Sequence, residues 1–207
     1  EDVTDVALLL GTANPKDLVW PGGGPGYGDE LAKLEANLRA SGYLPHRLVN
    51  CAGSRKYDGL PQGVRTVIVP DRVQLSPSDA EMLDGYVQRG GKVLAIGRGM
   101  GLAGTEEPNH AAGMFGIRSA GYAMPGLAGG FDLRWDASTV SMRGPALLVK
   151  PTSAEALLWA YVWTVGDTPV FTRNRVGNGT AYTAAATESA LTEKPDVLRY
   201  IWKETIG

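Results

Sequence analysis

Cysteine is almost missing from this sequence. Cys51 is the only one in 207 residues, so no disulfide can close within the chain. A lone thiol of this kind reads as a small buried hydrophobe rather than a nucleophile. It also leaves the compartment open, because the lack of a disulfide fits a cytoplasmic protein and an exported one alike. Histidine is nearly as scarce. His46 and His110 are far apart and belong to no His-x-x-x-His or His-x-His pair, so no histidine-based metal centre is expected. Charge of one sign is lacking too: 20 basic residues stand against 22 acidic ones, a net charge of −2. Nothing in that balance seeks nucleic acid or an anionic membrane. No apolar run is long enough to cross a bilayer, and a soluble protein is expected. No Gly-Lys-Ser or Gly-Lys-Thr occurs, which excludes a Walker phosphate loop, and no cofactor is expected.

What is present is an ordinary globular balance, 43% hydrophobic and 20% charged, with 28 glycines. The chain opens Glu1-Asp2-Val3 without an initiator Met or a signal-peptide pattern, and is expected to be part of a longer or processed protein. Val6-Ala7-Leu8-Leu9-Leu10 suits a buried parallel strand. A Pro/Gly-rich loop follows, Asn14 to Gly28, long enough to suggest function. Asp29 then reads as a helix cap, with Leu31, Leu34 and Leu38 as one apolar stripe and Gly42 as the stop. Leu48-Val49 and Val67-Ile68-Val69 mark two more strands. Ser76-Pro77-Ser78-Asp79 starts a second helix, which Gly90-Gly91 ends. Val93 to Ile96 is a fourth strand. This alternation predicts a mainly parallel sheet with helices on its faces.

The second half patterns differently. Ala111 to Gly116 reads as a short helix and Phe131 to Trp135 as an alternating strand. Ala146 to Val149 and Ala156 to Tyr161 are further apolar runs. Pro169 to Arg173 and Thr180 to Ala184 flank Gly177-Asn178-Gly179, the signal of a hairpin. Val197, Leu198, Ile201 and Trp202 give a C-terminal helix its apolar stripe. No repeat or linker interrupts the chain, so one domain over 1–207 is expected.

Ligands of open parallel sheets sit past the carboxyl ends of the strands. The polar and aromatic residues there are Trp20, Tyr27, Asp71, Arg72, Arg98, Glu106 and Glu107. Glu188, after the last strand, joins them, although an acid is also favourable in the first turn of a helix. Glu106 and Glu107 are adjacent and read as solvation of a loop. The turn Gly97-Arg98-Gly99-Met100-Gly101 has the backbone of a nucleophile turn but no Ser, Cys or Thr at its centre.

The order of several short segments resembles a known family. Val67-Ile68-Val69-Pro70, Leu75-Ser76, Leu83-Asp84-Gly85-Tyr86-Val87 and Gly90-Gly91-Lys92-Val93-Leu94 are similar to the centre of the β-galactosidase trimerisation domain. Met114-Phe115-Gly116-Ile117, and Thr168 to Asn174 with Gly177 to Tyr182, resemble its later part. That domain is the middle, non-catalytic part of family-42 glycoside hydrolases. The resemblance implies a flavodoxin-like or class I glutamine amidotransferase-like fold: an α/β three-layer sandwich with a mainly parallel central sheet and an added antiparallel hairpin. It aligns Gly99 with the amidotransferase nucleophile, and Ala186-Thr187-Glu188 with the His-Pro-Glu segment. Nucleophile and base are then absent, which argues against amidotransferase activity.

The expected function is therefore a non-catalytic accessory or oligomerisation domain of a carbohydrate-processing protein. Its partners would be a second copy or a neighbouring glycosidase domain, with carbohydrate as a possible ligand. The alternatives are a divergent enzyme of the same superfamily using Asp71, Arg98 and Glu188, or a sugar-binding module on the carboxyl edge. Trp20, Tyr27, Asp71, Arg98 and Glu188 are the candidate ligand-binding residues.

Overall fold

The computed structural model describes residues 5–10, 27–49, 60, 63–71, 73, 75, 77–97, 110–123, 131–135, 138–162 and 165–207. The first half runs β1 (Val6–Leu10), α1 (Tyr27–Ala40), β2 (His46–Val49), β3 (Thr66–Val69), α2 (Pro77–Gln88) and β4 (Lys92–Ile96). The second half runs α3 (His110–Phe115), β5 (Ile117–Ala123), β6 (Phe131–Trp135), β7 (Ser138–Met142), β8 (Ala146–Pro151), β9 (Glu155–Val162), β10 (Gly166–Val176), β11 (Gly179–Ala184), α4 (Glu188–Thr192) and α5 (Pro195–Thr205). One helix start differs from the sequence reading and one agrees with it. The first helix begins at Tyr27, which puts Asp29 inside its first turn, and Pro77 opens α2 as expected of a proline at the first helical position. No helix among the described residues is long and apolar enough to cross a membrane.

Nine strands form one sheet in the order β2-β1-β3-β4-β11-β10-β9-β6-β7, and β5 pairs with β8 in a separate ribbon. The pairings β1–β2, β1–β3, β3–β4 and β4–β11 are parallel. The pairings β11–β10, β10–β9, β9–β6 and β6–β7 are antiparallel. The expectation of a flavodoxin-like, amidotransferase-like sandwich around a mainly parallel sheet is thus overturned: the sheet is large and mixed, and strands dominate the second half. The physical reason is the length of the connections. Only residues 136–137 separate β6 from β7, 163–165 separate β9 from β10, and 177–178 separate β10 from β11. Links this short cannot carry a crossover, so these neighbours must run antiparallel. The hairpin expected at Gly177-Asn178-Gly179 is there, closing with Val176 opposite Gly179.

Side-chain alternation divides the core into two. On one face Val6, Leu8, Ile68, Leu94, Ile96, Tyr182 and Ala184 pack with Leu31, Leu34 and Leu38 of α1 and with Val197, Leu198, Ile201 and Trp202 of α5. On the other, Ala7, Leu9, Val67, Val69, Val93 and Ala95 pack with Leu83 and Val87 of α2, with Met114 and Phe115 of α3, and with Leu147 and Val149 of β8. Gly90, at φ +110°, ends α2, and the Gly91 N–H returns to the Tyr86 carbonyl at 3.1 Å. The chain can then enter β4 at once. Tyr86 stays near that corner, its hydroxyl donating to the Val64 carbonyl at 3.1 Å, and burial pushes its pKa up to about 12.

Trp202 ties the two helices of the first face together. Its indole N–H donates to Asn37 Oδ1 at 2.8 Å while its ring is fully buried. Trp202→Ala is expected to lower unfolding stability by about 3–5 kcal/mol through the cavity it leaves. Asn37→Ala, which orphans only the indole N–H, should lower it by about 1–3 kcal/mol. Urea unfolding of both variants checks the order, and equal losses would mean that the hydrogen bond, not the ring, holds the helices.

Candidate functional site

The parallel strands end at one edge, and three acids meet there. Asp71 follows β3, Glu188 opens α4 just past β11, and Glu30 lies in the first turn of α1. Their exposures are 0%, 2% and 2%, values at which carboxylates are rarely found without compensation. One oxygen from each lies within 4.8 Å of the others. The Asp71 backbone N–H donates to Glu188 Oε1 at 2.5 Å. Glu188 Oε2 is buried and finds no hydrogen-bond partner.

Local sequence explains each placement. Thr187 caps α4, its hydroxyl accepting the Ala190 N–H at 3.4 Å, and this turns Glu188 back across the sheet's edge. The same hydroxyl lies 3.2 Å from Ser189 Oγ, which donates to Glu30 Oε1 at 3.1 Å. Glu30 is held from two directions, since it also sits on the buried stripe of α1, four residues before Leu34 and eight before Leu38. Gly97, first residue of the glycine turn after β4, leaves the room. Its φ is +52°, and a Cβ there would stand 2.5 Å from Asp71 Oδ1.

Electrostatics then decide the charge state. Burial raises the pKa of Glu188 well above the ordinary carboxylate value, and the charges of Asp71 and then Glu30 add to it. The N–H groups of Asp71 and of Glu188 itself pull the other way without offsetting this. A proton resting on Glu188 removes one of the charges from the cluster. The three oxygens are also spaced so that one hard cation can touch all of them. In chemical terms the arrangement can share a proton or hold a cation.

Sequence reasoning named Asp71 and Glu188, and the structure brings these two together. It missed Glu30, although the i, i+4, i+8 spacing to Leu34 and Leu38 was the available signal. Tyr27 is the first residue of α1. Trp20, Cys51, Arg72, Arg98, Gly99, Glu106 and Glu107 lie outside the described residues. His46 is exposed on the edge strand β2.

No family model matches the sequence, and no curated protein matches it. Solved structures do. A catalytic mutant of Gan42B, a GH42 β-galactosidase from G. stearothermophilus, superposes with a TM-score of 0.77 at 15% identity, over 97% of this chain and 30% of that one. The β-galactosidase of Bacillus circulans sp. alkalophilus gives 0.74 at 17% identity, over 98% and 31%. That of the Antarctic haloarchaeon Halorubrum lacusprofundi gives 0.72 at 20% identity, over 99% and 30%. At these identities the likeness is one of fold. The chain spans less than a third of the length of these glycosidases.

Two substitutions probe the acids. Below the ordinary glutamate value of 4.5, folded and unfolded chains both hold the Glu188 proton. Above it the unfolded chain releases that proton while the folded chain keeps it, so this group's contribution falls as pH rises through the raised pKa. Glu188→Gln cannot ionise, and should give a flatter stability–pH profile and a more stable protein at neutral pH. Urea unfolding at stepped pH reads this, and an unchanged profile would falsify it. Gly97→Ala forces a left-handed alanine against Asp71 and should cost about 1–3 kcal/mol. A melting temperature equal to that of the wild type would rule out the close approach.

Proposed function

We propose that this chain is a non-catalytic accessory domain of a carbohydrate-processing protein, akin to the trimerisation domain of β-galactosidases, acting by association with a second copy or with a neighbouring glycosidase domain. The observation that carries this reading is the coverage. Nearly all of this chain lies on under a third of each GH42 β-galactosidase chain, as a component of a larger glycosidase would. The ladder β4–β11 joins the two halves of the sequence into one sheet, which supports treating them as a single domain.

The acids favour a structural role over turnover. They are almost wholly buried; the Glu188 carboxyl accepts from the Asp71 backbone N–H, and that of Glu30 from the Ser189 hydroxyl. A catalytic carboxylate needs a substrate within hydrogen-bond reach. The convergence of Asp71 and Glu188 supports a second reading, a small-molecule site on this edge that also uses Trp20, Tyr27 and Arg98.

Light scattering after size exclusion, across a wide range of concentration, tests association. The expected mass is a multiple of 21.9 kDa at high concentration. A panel of nitrophenyl glycosides tests the non-catalytic part, with no turnover expected. A strict monomer that also fails to bind a glycosidase barrel overturns the association. Turnover abolished by Asp71→Asn or Glu188→Gln overturns the accessory reading in favour of an enzyme.

A further inference from the structure

Helices and the β5–β8 ribbon cover the strands at the centre of the sheet, but its antiparallel end presents one face to solvent. Cross-strand partners share a face, so the register fixes what that face carries. One row is Ser141, Asp132, Tyr161 and Asp167, and the next is Thr139, Arg134, Trp159 and Pro169. The residues between these rows, Leu133 and Ala160, point into the core and are fully buried. On β6, β7 and β9 the outer face carries Trp159 and Tyr161 among polar groups, while Pro169 of β10 is buried. Trp159 is 42% exposed and Tyr161 is 41% exposed. Val165, 53% exposed, lies just past the end of β9. The solvent face of an antiparallel strand is ordinarily polar, and a Trp and a Tyr two residues apart on it depart from that rule.

The polar groups between the rings are already arranged. Arg134 and Asp167 meet at 2.9 Å, joining the two rows diagonally across β9. Ser141 Oγ donates to Asp132 Oδ1 at 2.6 Å. Arg134 is thus partly neutralised by Asp167, and the face as a whole holds two acids and one base. Such a surface offers nothing to a polyanion. A protein docked flat on it would strip water from three charged groups, a desolvation that surface pairs of this kind do not repay. A saccharide meets the same groups differently. Its hydroxyls accept from the guanidinium and donate to the carboxylates in a wet contact, while its C–H faces lie on the indole and phenol rings. Two rings about 7 Å apart along the strand, at 3.4 Å per residue, suit an extended ligand rather than a single enclosed one.

We propose that this face, centred on Trp159 and Tyr161 with Arg134, Asp132 and Asp167 supplying hydrogen bonds, binds a neutral oligosaccharide or polysaccharide. The proposal stands on the surface itself and does not depend on the accessory-domain reading. It places carbohydrate at the open end of the sheet, away from the carboxyl edge.

Affinity electrophoresis through gels containing galactan, glucomannan or hydroxyethyl cellulose tests it, with intrinsic fluorescence titration using soluble oligomers of the retarding polymer. Retardation by at least one polymer is expected. Trp159→Ala should weaken binding roughly tenfold or more, since the ring is the main contact. Tyr161→Ala and Arg134→Ala should weaken it less. All three sites are exposed, so the variants are expected to keep the wild-type melting temperature, and a variant that does not is replaced by Trp159→Gln. No retardation in any of the three polymers overturns the proposal. So does retardation that Trp159→Ala and Trp159→Gln leave unchanged. A Trp159 variant that instead shifts the protein from oligomer to monomer, with no saccharide bound by the wild type, assigns the face to a second copy.

Discussion

The hydrogen bond from the Asp71 N–H to the Glu188 carboxyl joins residues 117 apart in sequence, and much of the carboxyl edge depends on it. It fixes the chain leaving β3 against the chain leaving β11, on either side of β4. For the bond to form, Thr187 must cap a helix of only five residues, and the residue after β4 must have no side chain. For it to persist, the charge must be managed, because Glu30 and Asp71 occupy the same buried space. Raising the pKa of Glu188 is the response that burial enforces. The edge is held by an arrangement that weakens when its own carboxyl ionises.

The two ends of the sheet are built on different physics. The parallel end is covered on both faces and made of near-continuous apolar strands, such as Val67-Ile68-Val69 and Val93-Leu94-Ala95-Ile96. The antiparallel end alternates, with Leu133 and Ala160 inside and Arg134, Trp159 and Tyr161 outside. Strand β11 is the hinge between these regimes, pairing in parallel with β4 and antiparallel with β10.

That division explains what was legible in the sequence. The first-half strands and the helix stops announced themselves by apolar runs and by Gly42 and Gly90. The hairpin was legible from Gly177-Asn178-Gly179. Strands β5, Ile117-Arg118-Ser119-Ala120-Gly121-Tyr122-Ala123, and β7, Ser138-Thr139-Val140-Ser141-Met142, carry too few apolar residues to stand out. Strand β5 finds its partner in β8, more than twenty residues on, which local pattern does not encode, and β7 pairs with β6 across a two-residue link that carries no glycine signal. The fold class departs from the sequence reading for a different reason: the parallel pattern of the first half does not extend over strands whose short links dictate antiparallel pairing. In the site, Asp71 and Glu188 were legible because strand ends are where such groups collect. Glu30 goes unmentioned in the sequence reading, although its place on the Leu34–Leu38 stripe sets it apart.

Where the molecule spends its polar chemistry bears on its role. At the carboxyl edge, acids that could have faced a substrate are buried, with Glu188 accepting from a backbone N–H and Glu30 from a serine. At the antiparallel end, aromatic rings that could have entered the core are turned outward among charged side chains. An enzyme of this size commonly does the reverse, keeping reactive groups in an accessible cleft and rings around them. Sealed acids give the sheet a fixed edge, and an open aromatic face gives it a surface to meet something with. Both features fit the accessory role proposed above.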